Sequence, residues 1–552
     1  MVRISDKDYG QEGRYWADGI ADYLIQKDPE RTTFVCASGI SPSGPVHFGN
    51  LREVITTYAV AEALERRGKK TSFIYSWDDF DRFRKIPSGL PNTYEEHIGK
   101  PLSALPSPTN SNQSYAAFYE QGFESALQSL NIRPTYRYQT QEYQSGSYDQ
   151  AIIEALQKRE QIADIMLSFM TEKGKKQKQI DDKTYRDTYY PITIYSRFSG
   201  KDTTTILSYD GEKTIRYRCN STKKEDEVDI TKHRVVKLKW KVDWAMRWRH
   251  EGVCFEPGGS DHAAPGSSYD TAAAIAKQVF HINPPLFIEY GFVGLQGIGT
   301  KMSGSSGQTV SPHDLLTIYE PSTLLLMYLR RLPTQTFSLA FDTEVYRQYD
   351  ERDSLSPPSF WHRIRSLFMQ QEGSIDRRII AILQTLYPDE RYVNPVPFRQ
   401  LVGFAQTVQW DTSKLTDLFN TLHLNYDTTS ISSRLNRAKT WVTTYNKDAA
   451  LVIREQQNTD HWDEMDEENK GYIRNICSYI TEHGTDDITV LEEYLYTLPK
   501  EQHTEERSLK KAQRTLFGHV YLLLLGQKTG PRLSTLLWSL PQKKILSLLR
   551  FS

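Results

Sequence analysis

The 552-residue sequence predicts an α/β region followed by an all-α region. In the first part of the chain, apolar β-prone runs alternate with helical periodicity, which is typical of a parallel sheet covered by helices. Several of these runs end in glycine-rich or acidic loops, where open α/β sheets bind ligands. From residue 361 onward the periodicity is almost wholly helical.

Charged residues make up 25% of the chain and the formal net charge is −1. This balance provides no overall attraction for nucleic acid, so any contact with RNA must use local basic patches. The four cysteines form no CxxC pair, which indicates a reducing compartment. The N-terminal residues lack the apolar core of a signal peptide, and Leu324–Leu332 is too short to span a bilayer. We therefore expect a cytoplasmic protein without membrane contact.

The stretch Thr33–Glu53 predicts the first unit of the α/β region. Phe34–Cys36 has the pattern of a buried strand, a Gly/Pro loop follows, and helical spacing begins near His47. In a strand, glycine-rich turn and helix unit, the free N–H groups at the helix N-terminus can bind an anion. The imidazole of His47 and the carboxamide of Asn50 can donate to phosphates there, and Gly49 leaves space for a nucleobase.

Three further predicted strands also end in polar loops. Thr71–Tyr75 is followed by an acidic block in which aromatic residues make a purely solvated loop the less favoured alternative. Val253–Pro257 leads to Gly259 and Asp261, and a carboxylate there can accept hydrogen bonds from ribose hydroxyls. Leu286–Val293 leads to a glycine-rich loop whose one lysine can meet phosphate charge as it separates.

Between these strands the chain predicts an insertion at about 105–240, with a β-rich part at 190–240. Its four short strands are expected at Ile192–Tyr195, Thr203–Leu207, Thr214–Tyr217 and Val235–Leu238. The lysine-rich stretch 171–187 could meet an RNA backbone, although a solvated flexible turn is the more frequent meaning of such a charge run. Helices beyond residue 361 are expected at Ile375–Tyr387, Ser413–Leu424, Ala449–Gln457 and Leu509–Leu525.

Two motifs carry a family resemblance. Pro42–Asn50, PSGPVHFGN, resembles the HIGH signature of class I aminoacyl-tRNA synthetases, with Asn50 in place of the last histidine. Lys301–Ser305, KMSGS, resembles the KMSKS loop of the same class. Both occur in the expected order, which is far more specific than either alone. Over roughly residues 15–440 the chain is similar to class I lysyl-tRNA synthetases.

This resemblance implies a Rossmann-type catalytic domain at 1–320, connecting helices and a linker at 321–360, and an α-helical anticodon-binding domain at 361–552. It also implies formation of lysyl-adenylate from L-lysine and ATP, with Mg²⁺ on the phosphates, and transfer to tRNA(Lys). The implied catalytic residues are His47, Asn50, Lys301, Ser303 and Ser305. The implied ATP-binding residues are Pro42, Ser43, Gly44, His47, Gly49, Asn50, Gly259, Asp261, Lys301 and Met302. The candidates for binding the amino acid are Gly39, Ser41, Asp78, Asp79, Asp81, Trp240, His262, Tyr269 and Tyr290.

The chain departs from this family pattern in two places. The family often carries a zinc site in the β-rich part, but Ser196 stands where a first thiolate is expected and Cys219 has no Cys or His within three residues. A closed zinc site needs four ligands, so we predict no zinc and no other metal held by side chains. The loop offers Gly304 and Ser306 where a second basic residue is usual. Either Lys301 alone serves, or a cation comes from elsewhere, or the enzyme is slow.

Three alternatives stay open at this point. A glutamyl-type class I synthetase is the nearest, since arginines lie in the same block as the candidate aspartates. A synthetase-like protein could bind tRNA without charging it, and a plain nucleotidyltransferase could share the fold. The sequence leaves open which carboxylate binds the lysine ammonium, which anticodon nucleotides are read, and the oligomeric state.

Overall fold

The computed structural model describes residues 4–10, 14–109, 112–177, 179–264, 266–296, 310–355, 375–503 and 505–551. These residues form two compact units. The first contains the described residues of 1–316, 321–340 and 369–387, and the second contains those of 317–320, 341–368 and 388–552.

All strands of the described residues belong to the first unit. In chain order they are β1 Thr33–Ile40, β2 Lys70–Trp77, β3 Thr135–Tyr138, β4 Ile192–Ile194, β5 Thr204–Tyr209, β6 Thr214–Cys219, β7 Glu225–Asp229, β8 Val236–Leu238, β9 Val253–Gly259, β10 Leu286–Tyr290, β11 Val293–Leu295 and β12 Phe337–Leu339.

The central sheet has five strands in the order β10-β9-β1-β2-β3, and every neighbouring pair is parallel. The chain runs from β1 to β2 and β3 on one side, then returns to place β9 and β10 on the other. The strand order therefore reverses beside β1, which is where doubly wound sheets bind ligands at their carboxyl ends. The predicted Rossmann-type α/β fold is confirmed.

The β-rich part consists of two small antiparallel sheets, β4-β8 and β5-β6-β7. Strand β7 was not predicted because its sequence, EDEVD, carries four acids and one apolar side chain. The contacts with β6 explain why this segment forms a strand. Glu225 forms ion pairs with Arg216 and Arg218 of β6, and Val228 is the one side chain of β7 that is buried in the core.

Helices cover the central sheet and complete the first unit. They are Asp6–Tyr9, Trp16–Lys27, Leu51–Glu65, Tyr115–Ser129, Gln139–Ser145, Asp149–Gln157, Arg159–Ser168, Glu172–Gln177, Asp182–Thr188, Ile230–His233, Trp240–Glu251, Ser260–Ala263, Ser268–Gln278, Pro312–Leu316, Pro321–Leu329 and Ile375–Leu386. Within the described residues, no helix is long and apolar enough to cross a membrane.

The second unit is helical throughout its described residues. Its helices are Glu344–Ser354, Phe398–Thr407, Thr412–Thr421, Thr428–Thr440, Thr459–Glu464, Glu467–His483, Ile488–Thr497, Glu506–Leu525, Leu533–Ser539 and Gln542–Leu549. The all-α character predicted from residue 361 onward is confirmed for the described part.

Two local predictions were wrong. The predicted helix Ala449–Gln457 is a short 3₁₀ turn followed by non-helical chain. Its backbone N–H groups pair elsewhere: Leu451 donates to the Gln406 side chain at 2.6 Å and Arg454 donates to the Leu524 carbonyl at 2.8 Å. The lysine-rich stretch 171–187 contains two short helices rather than a flexible turn, the second of them capped by an aspartate side chain.

One buried arginine ties the helix Leu51–Glu65 to the segment that follows Pro321–Leu329. Arg52 is 1% exposed, and its guanidinium donates to four main-chain carbonyls. Three of these distances are 3.0 Å to Tyr328, 3.0 Å to Pro333 and 3.3 Å to Gln335, and the fourth acceptor is Leu332. Burial lowers the pKa of Arg52 to about 10, so the group stays charged at neutral pH.

We expect Arg52→Lys to destabilise the protein by about 3 kcal/mol, because one ammonium cannot reach acceptors that a planar guanidinium serves together. The midpoint of urea unfolding measures this loss. The matched control is Arg133→Lys, since Arg133 is exposed. A midpoint for Arg52→Lys equal to that of the control would contradict the structural role of Arg52.

Candidate active site

The turn between β1 and the helix Leu51–Glu65 is organised by reciprocal hydrogen bonds. The Gly49 N–H donates to Nδ1 of His47 at 3.1 Å, and the His47 N–H donates to Oδ1 of Asn50 at 3.2 Å. These bonds satisfy main-chain donors that the start of a helix leaves free. They also hold the imidazole and the carboxamide at the carboxyl end of β1.

This arrangement selects one tautomer of His47. Because Nδ1 accepts an N–H, the neutral ring carries its proton on Nε2. Burial lowers the pKa of His47, so the ring is neutral at pH 7. A Cβ at Gly49 would lie 2.8 Å from the ring, so a glycine is required for the imidazole to occupy this position. His47 is therefore a neutral Nε2–H donor.

His47 and Asn50 line a cleft of about 380 Å³. One wall is the loop after β1 and the other is the segment after β2. The lining residues are Ile40, Ser41, Ser43, Gly44, Pro45, Val46, His47, Asn50, Asp81, Arg82, Phe83, Arg84, Lys85 and Pro87. Six sequence candidates thus share one cavity, while Pro42 is buried beside them.

The predicted ribose-binding residues lie at the carboxyl end of β9. Asp261 is exposed on the short helix Ser260–Ala263, and its Oδ1 is 2.6 Å from the point that a Cβ of Gly259 would occupy. The Tyr290 hydroxyl, at the end of β10, is 3.6 Å from the same point. The absence of a side chain at 259 therefore leaves room for this carboxylate.

A second, smaller cavity of about 30 Å³ lies between the ends of β1, β2 and β9 and the helix Trp240–Glu251. Its wall includes stacked indoles: the rings of Trp240 and Trp244 are 4.9 Å apart and inclined by 18°. The polar and aromatic lining residues are Ser38, Gly39, Ser76, Asp78, Trp240, Trp244, Arg247, Trp248, Glu251 and Glu256.

Each predicted aspartate already has a protein partner. Asp78 accepts from Arg247 at 2.7 Å, and Asp81 lies 3.2 Å from the Lys237 ammonium. Asp79 accepts from the Thr140 N–H at 2.7 Å, and burial raises its pKa to about 6. A further buried acid, Asp243, contacts both cations, at 3.2 Å to Lys237 and 3.5 Å to Arg247.

Two half-buried glutamates were not among the sequence candidates. Glu53 accepts from the Gly39 N–H at 2.9 Å and from the Tyr290 hydroxyl at 2.8 Å. Burial raises its pKa to about 8, and the nearby carboxylates of Glu256 and Asp78 act in the same direction. Glu256 accepts from the indole N–H groups of two tryptophans, and burial raises its pKa as well. Neither glutamate has an ion-pair partner among the described residues.

Within the described residues, the ends of the central strands therefore carry four more carboxyl groups than cations. The electrostatically linked carboxyls are Glu53, Asp78, Asp79, Asp81, Asp243 and Glu256, and the cations are Lys237 and Arg247. Burial alone would lower the pKa of Lys237, but Asp243 and Asp81 raise it well above its usual value. A buried site with this surplus either holds protons or accepts a cationic ligand.

The remaining candidates fall into three groups. The His262 ring is 5.8 Å from that of Trp244, and its buried Nδ1 has no hydrogen-bond partner in the described part of the chain. Tyr269 lies in the core, where its hydroxyl donates to the Pro285 carbonyl at 2.8 Å, and it lines neither cavity. The candidates that lie outside the described residues are Lys301, Met302, Ser303 and Ser305.

Glu53 left a weak signal in the sequence. It stands three residues after Asn50 in the first helical turn, a spacing that places both on one face. Its burial was not apparent, because the tyrosine that covers it comes from β10, far along the chain. Glu256 gave no signal, since a single acid inside a predicted strand is ordinary.

The sequence matches the protein family described as tRNA synthetases class I (K) over residues 14–375. The lysine–tRNA ligase of Streptomyces coelicolor is 33% identical, with 97% of this chain and 98% of that protein covered. The lysine–tRNA ligase of Treponema pallidum is 32% identical, with 95% and 96% covered. A solved glutamate-tRNA synthetase from Elizabethkingia anophelis is 11% identical with a TM-score of 0.44, covering 94% of this chain and 99% of that one. That structural likeness is too weak to carry an argument.

Four positions in the β-rich part have the spacing of the ligands in a zinc knuckle, but only one of them is a cysteine. Ser196 and Ser199 are three residues apart, as are Cys219 and Thr222, and such pairs are cysteines in structural zinc sites. The buried Cys219 sulfur lies 3.5 Å from the Ser199 hydroxyl and 3.4 Å from that of Ser221. Burial opposes ionisation of Cys219, but these hydroxyls lower its pKa to about 5. One thiol among hydroxyls does not fit zinc, and hydrogen bonds join the two turns instead.

We expect the triple variant S196C/S199C/T222C to bind one zinc ion per chain, because four thiols would then meet at the two turns. Zinc content after purification and the melting temperature with and without chelator measure this. The control is S196A/S199A/T222A, which removes the hydroxyls without adding ligands and should bind none. A zinc-free triple-cysteine variant would show that the four side chains do not converge, and stoichiometric zinc in the unmodified protein would contradict the interpretation.

Proposed function

Because the chain belongs to the class I (K) family of tRNA synthetases, we propose that it joins L-lysine to tRNA(Lys) in two steps. Lysine and ATP first give lysyl-adenylate and pyrophosphate. The lysyl group then passes to the terminal adenosine of the tRNA. ATP is the nucleotide that enzymes of this class use.

The observation that carries the choice of lysine is the surplus of carboxyl groups at the ends of the central strands, two of which, Asp78 and Glu256, line the smaller cavity. Six carboxyls and two cations of the described residues are linked there, so a positively charged side chain would improve the charge balance. The side chain of glutamate would add to the surplus, which disfavours the glutamyl-type alternative. The indole walls of Trp240 and Trp244 add aromatic faces on which an ammonium group or its alkyl stem can pack.

Within this proposal, Glu53 is the acceptor for the lysine ammonium. It has no ion-pair partner among the described residues, and it is bonded to Gly39, which lines the cavity. Asp78 and Asp81 lie nearby but already contact Arg247 and Lys237. These two aspartates add negative charge to the site, and their ion pairs hold the neighbouring elements in place.

Formation of the adenylate needs positioning and charge stabilisation more than proton transfer by side chains. We assign phosphate contacts to the Nε2–H of His47 and to Asn50, and the ribose to Asp261 beside Gly259. Lys301, with Met302, Ser303 and Ser305, is assigned to the departing pyrophosphate. Mg²⁺ would enter with ATP and neutralise phosphate charge. The described residues contain no group of three His, Cys, Asp or Glu side chains that could hold an ion alone.

We further propose that residues 1–320 form the catalytic domain, that 321–360 connect it, and that 361–552 bind the anticodon. The helical second unit, which holds residues 388–552, supports the last of these assignments, whereas the helix Ile375–Leu386 belongs to the first unit. All four cysteines are free thiols, which supports a reducing, cytoplasmic location.

ATP–pyrophosphate exchange with a panel of amino acids, with and without tRNA, tests the function. We expect exchange with lysine alone, and charging of tRNA(Lys) by the same preparation. Lys301→Ala should reduce exchange about a hundredfold, as the loss of a group that stabilises transition-state charge does. Exchange with glutamate instead, or tight salt-sensitive tRNA binding without any exchange, would refute the proposal.

Lysine binding should release protons at pH 7. Because burial raises the pKa of Glu53 to about 8, the group is mostly protonated at pH 7 in the free protein. An entering ammonium favours the carboxylate, so its pKa falls and a proton leaves, and lysine affinity rises with pH up to about 8.

Calorimetric titration in two buffers with different ionisation enthalpies counts the protons. Glu53→Gln should abolish the release and weaken lysine binding about tenfold or more, because a charge-assisted contact is lost. The control is Glu30→Gln, since Glu30 is exposed and precedes β1. Unchanged proton release in Glu53→Gln would assign the effect to another group and remove Glu53 from the site.

A further inference from the structure

Two basic side chains on the wall of the larger cleft have no role in the function described so far. Arg84 and Lys85 follow β2 and line the cavity opposite His47 and Asn50. Both are exposed. No ion pair or hydrogen bond engages either side chain within the described residues.

Their neighbours in the same segment behave differently. Asp81 lies 3.2 Å from Lys237, and Arg82 lies 3.1 Å from the buried carboxylate of Asp202. The Asp202 carboxylate also interacts with Arg84 without a direct contact, so it balances the charges of Arg82 and Arg84 only in part, and with Lys85 the segment leaves the cleft a surplus of positive charge. A concave surface with excess charge of one sign concentrates ligands of the other.

The opposite wall suits an anion as well. It carries the neutral Nε2–H donor of His47 and the turn that begins the fifteen-residue helix Leu51–Glu65. The Ser43 side chain and Gly44 complete that wall. Donors on one side and two cations on the other thus face one space of about 380 Å³.

The loop expected to close on the triphosphate offers little positive charge. Between Val293 and Ser311, the stretch that resembles the KMSKS loop, the sequence contains one basic residue, Lys301. ATP carries a charge of about −4, and the leaving pyrophosphate gains charge as its bond to the α-phosphorus breaks.

We propose that Arg84 and Lys85 bind the β- and γ-phosphates of ATP and stabilise the departing pyrophosphate. The inference rests on the proposed function and names two residues that complete its phosphate site. In the step, a lysine carboxylate oxygen forms a bond to the α-phosphorus. The bond from that phosphorus to the bridging oxygen breaks, and its electron pair leaves on pyrophosphate. No proton moves, and the two cations meet the charge that appears on the leaving group.

The test compares Arg84→Gln, Lys85→Gln and the double variant in lysine-dependent ATP–pyrophosphate exchange without tRNA. Each single change should lower exchange about tenfold and the double change further, because charge-assisted contacts to phosphate are lost. The KM for lysine should stay unchanged. Arg84→Lys, which keeps the charge, should retain most of the activity.

The matched controls are Arg133→Gln and Lys70→Gln. Arg133 is exposed outside both cavities, and Lys70 is exposed at the amino end of β2, about 25 Å from its carboxyl end. Both should exchange at the rate of the unmodified protein, and all variants should keep its melting temperature.

Exchange within twofold of the controls would overturn the proposal. Normal exchange with impaired tRNA charging would also overturn it and assign the two cations to RNA. Calorimetric binding of inorganic pyrophosphate separates this inference from the proposed function. If the unmodified protein shows no exchange with any amino acid, the proposed function is refuted. The inference about Arg84 and Lys85 would then still predict weaker pyrophosphate binding by the double variant than by the unmodified protein. Equal binding in that variant would refute it.

Discussion

An imbalance between carboxyl groups and cations at the carboxyl ends of β1, β2 and β9 sets the electrostatic character of the candidate site. Burying an ion is costly unless it is paired, and the chain meets this cost by placing Arg247 against Asp78 and Lys237 between Asp81 and Asp243. Two cations do not balance six carboxyls, and burial, with a smaller contribution from neighbouring carboxylates, raises the pKa values of Glu53 and Glu256. In the proposed function, the lysine ammonium is the positive group that offsets part of this surplus.

The two cavities have opposite electrostatic character and share one loop. Gly39 lines the smaller, carboxyl-rich cavity, and Ser41 and Ser43 line the larger one with its surplus cations. A ligand with a positive end and a ligand with a negative end would therefore be oriented by charge before any close contact forms. In the proposed function, the lysine carboxylate and the α-phosphorus of ATP would meet between the two cavities, beside the end of β1.

The β-rich part is joined to this region by ion pairs. Lys237, on β8, contacts Asp81, and Asp202, just before β5, contacts Arg82. Both partners belong to the segment after β2 that forms a cleft wall. The small sheets therefore stabilise that wall through these ion pairs. Within the sheets, the turns around Cys219 are joined by hydrogen bonds between side chains that do not form a set of zinc ligands.

The sequence by itself determined the strand–loop–helix units and the places of His47, Asn50 and the polar strand ends. Such features depend on residues close together in the chain, where turn-forming glycines and hydrophobic periodicity act. The roles of Arg247, Lys237 and Glu256 became recognisable only in three dimensions, as did the partial burial of Glu53. Their burial and their partners come from strands and helices that lie far apart in the chain. A titratable group's chemistry depends on its surroundings, so only the tertiary structure decided which acids form ion pairs and which have no such partner among the described residues.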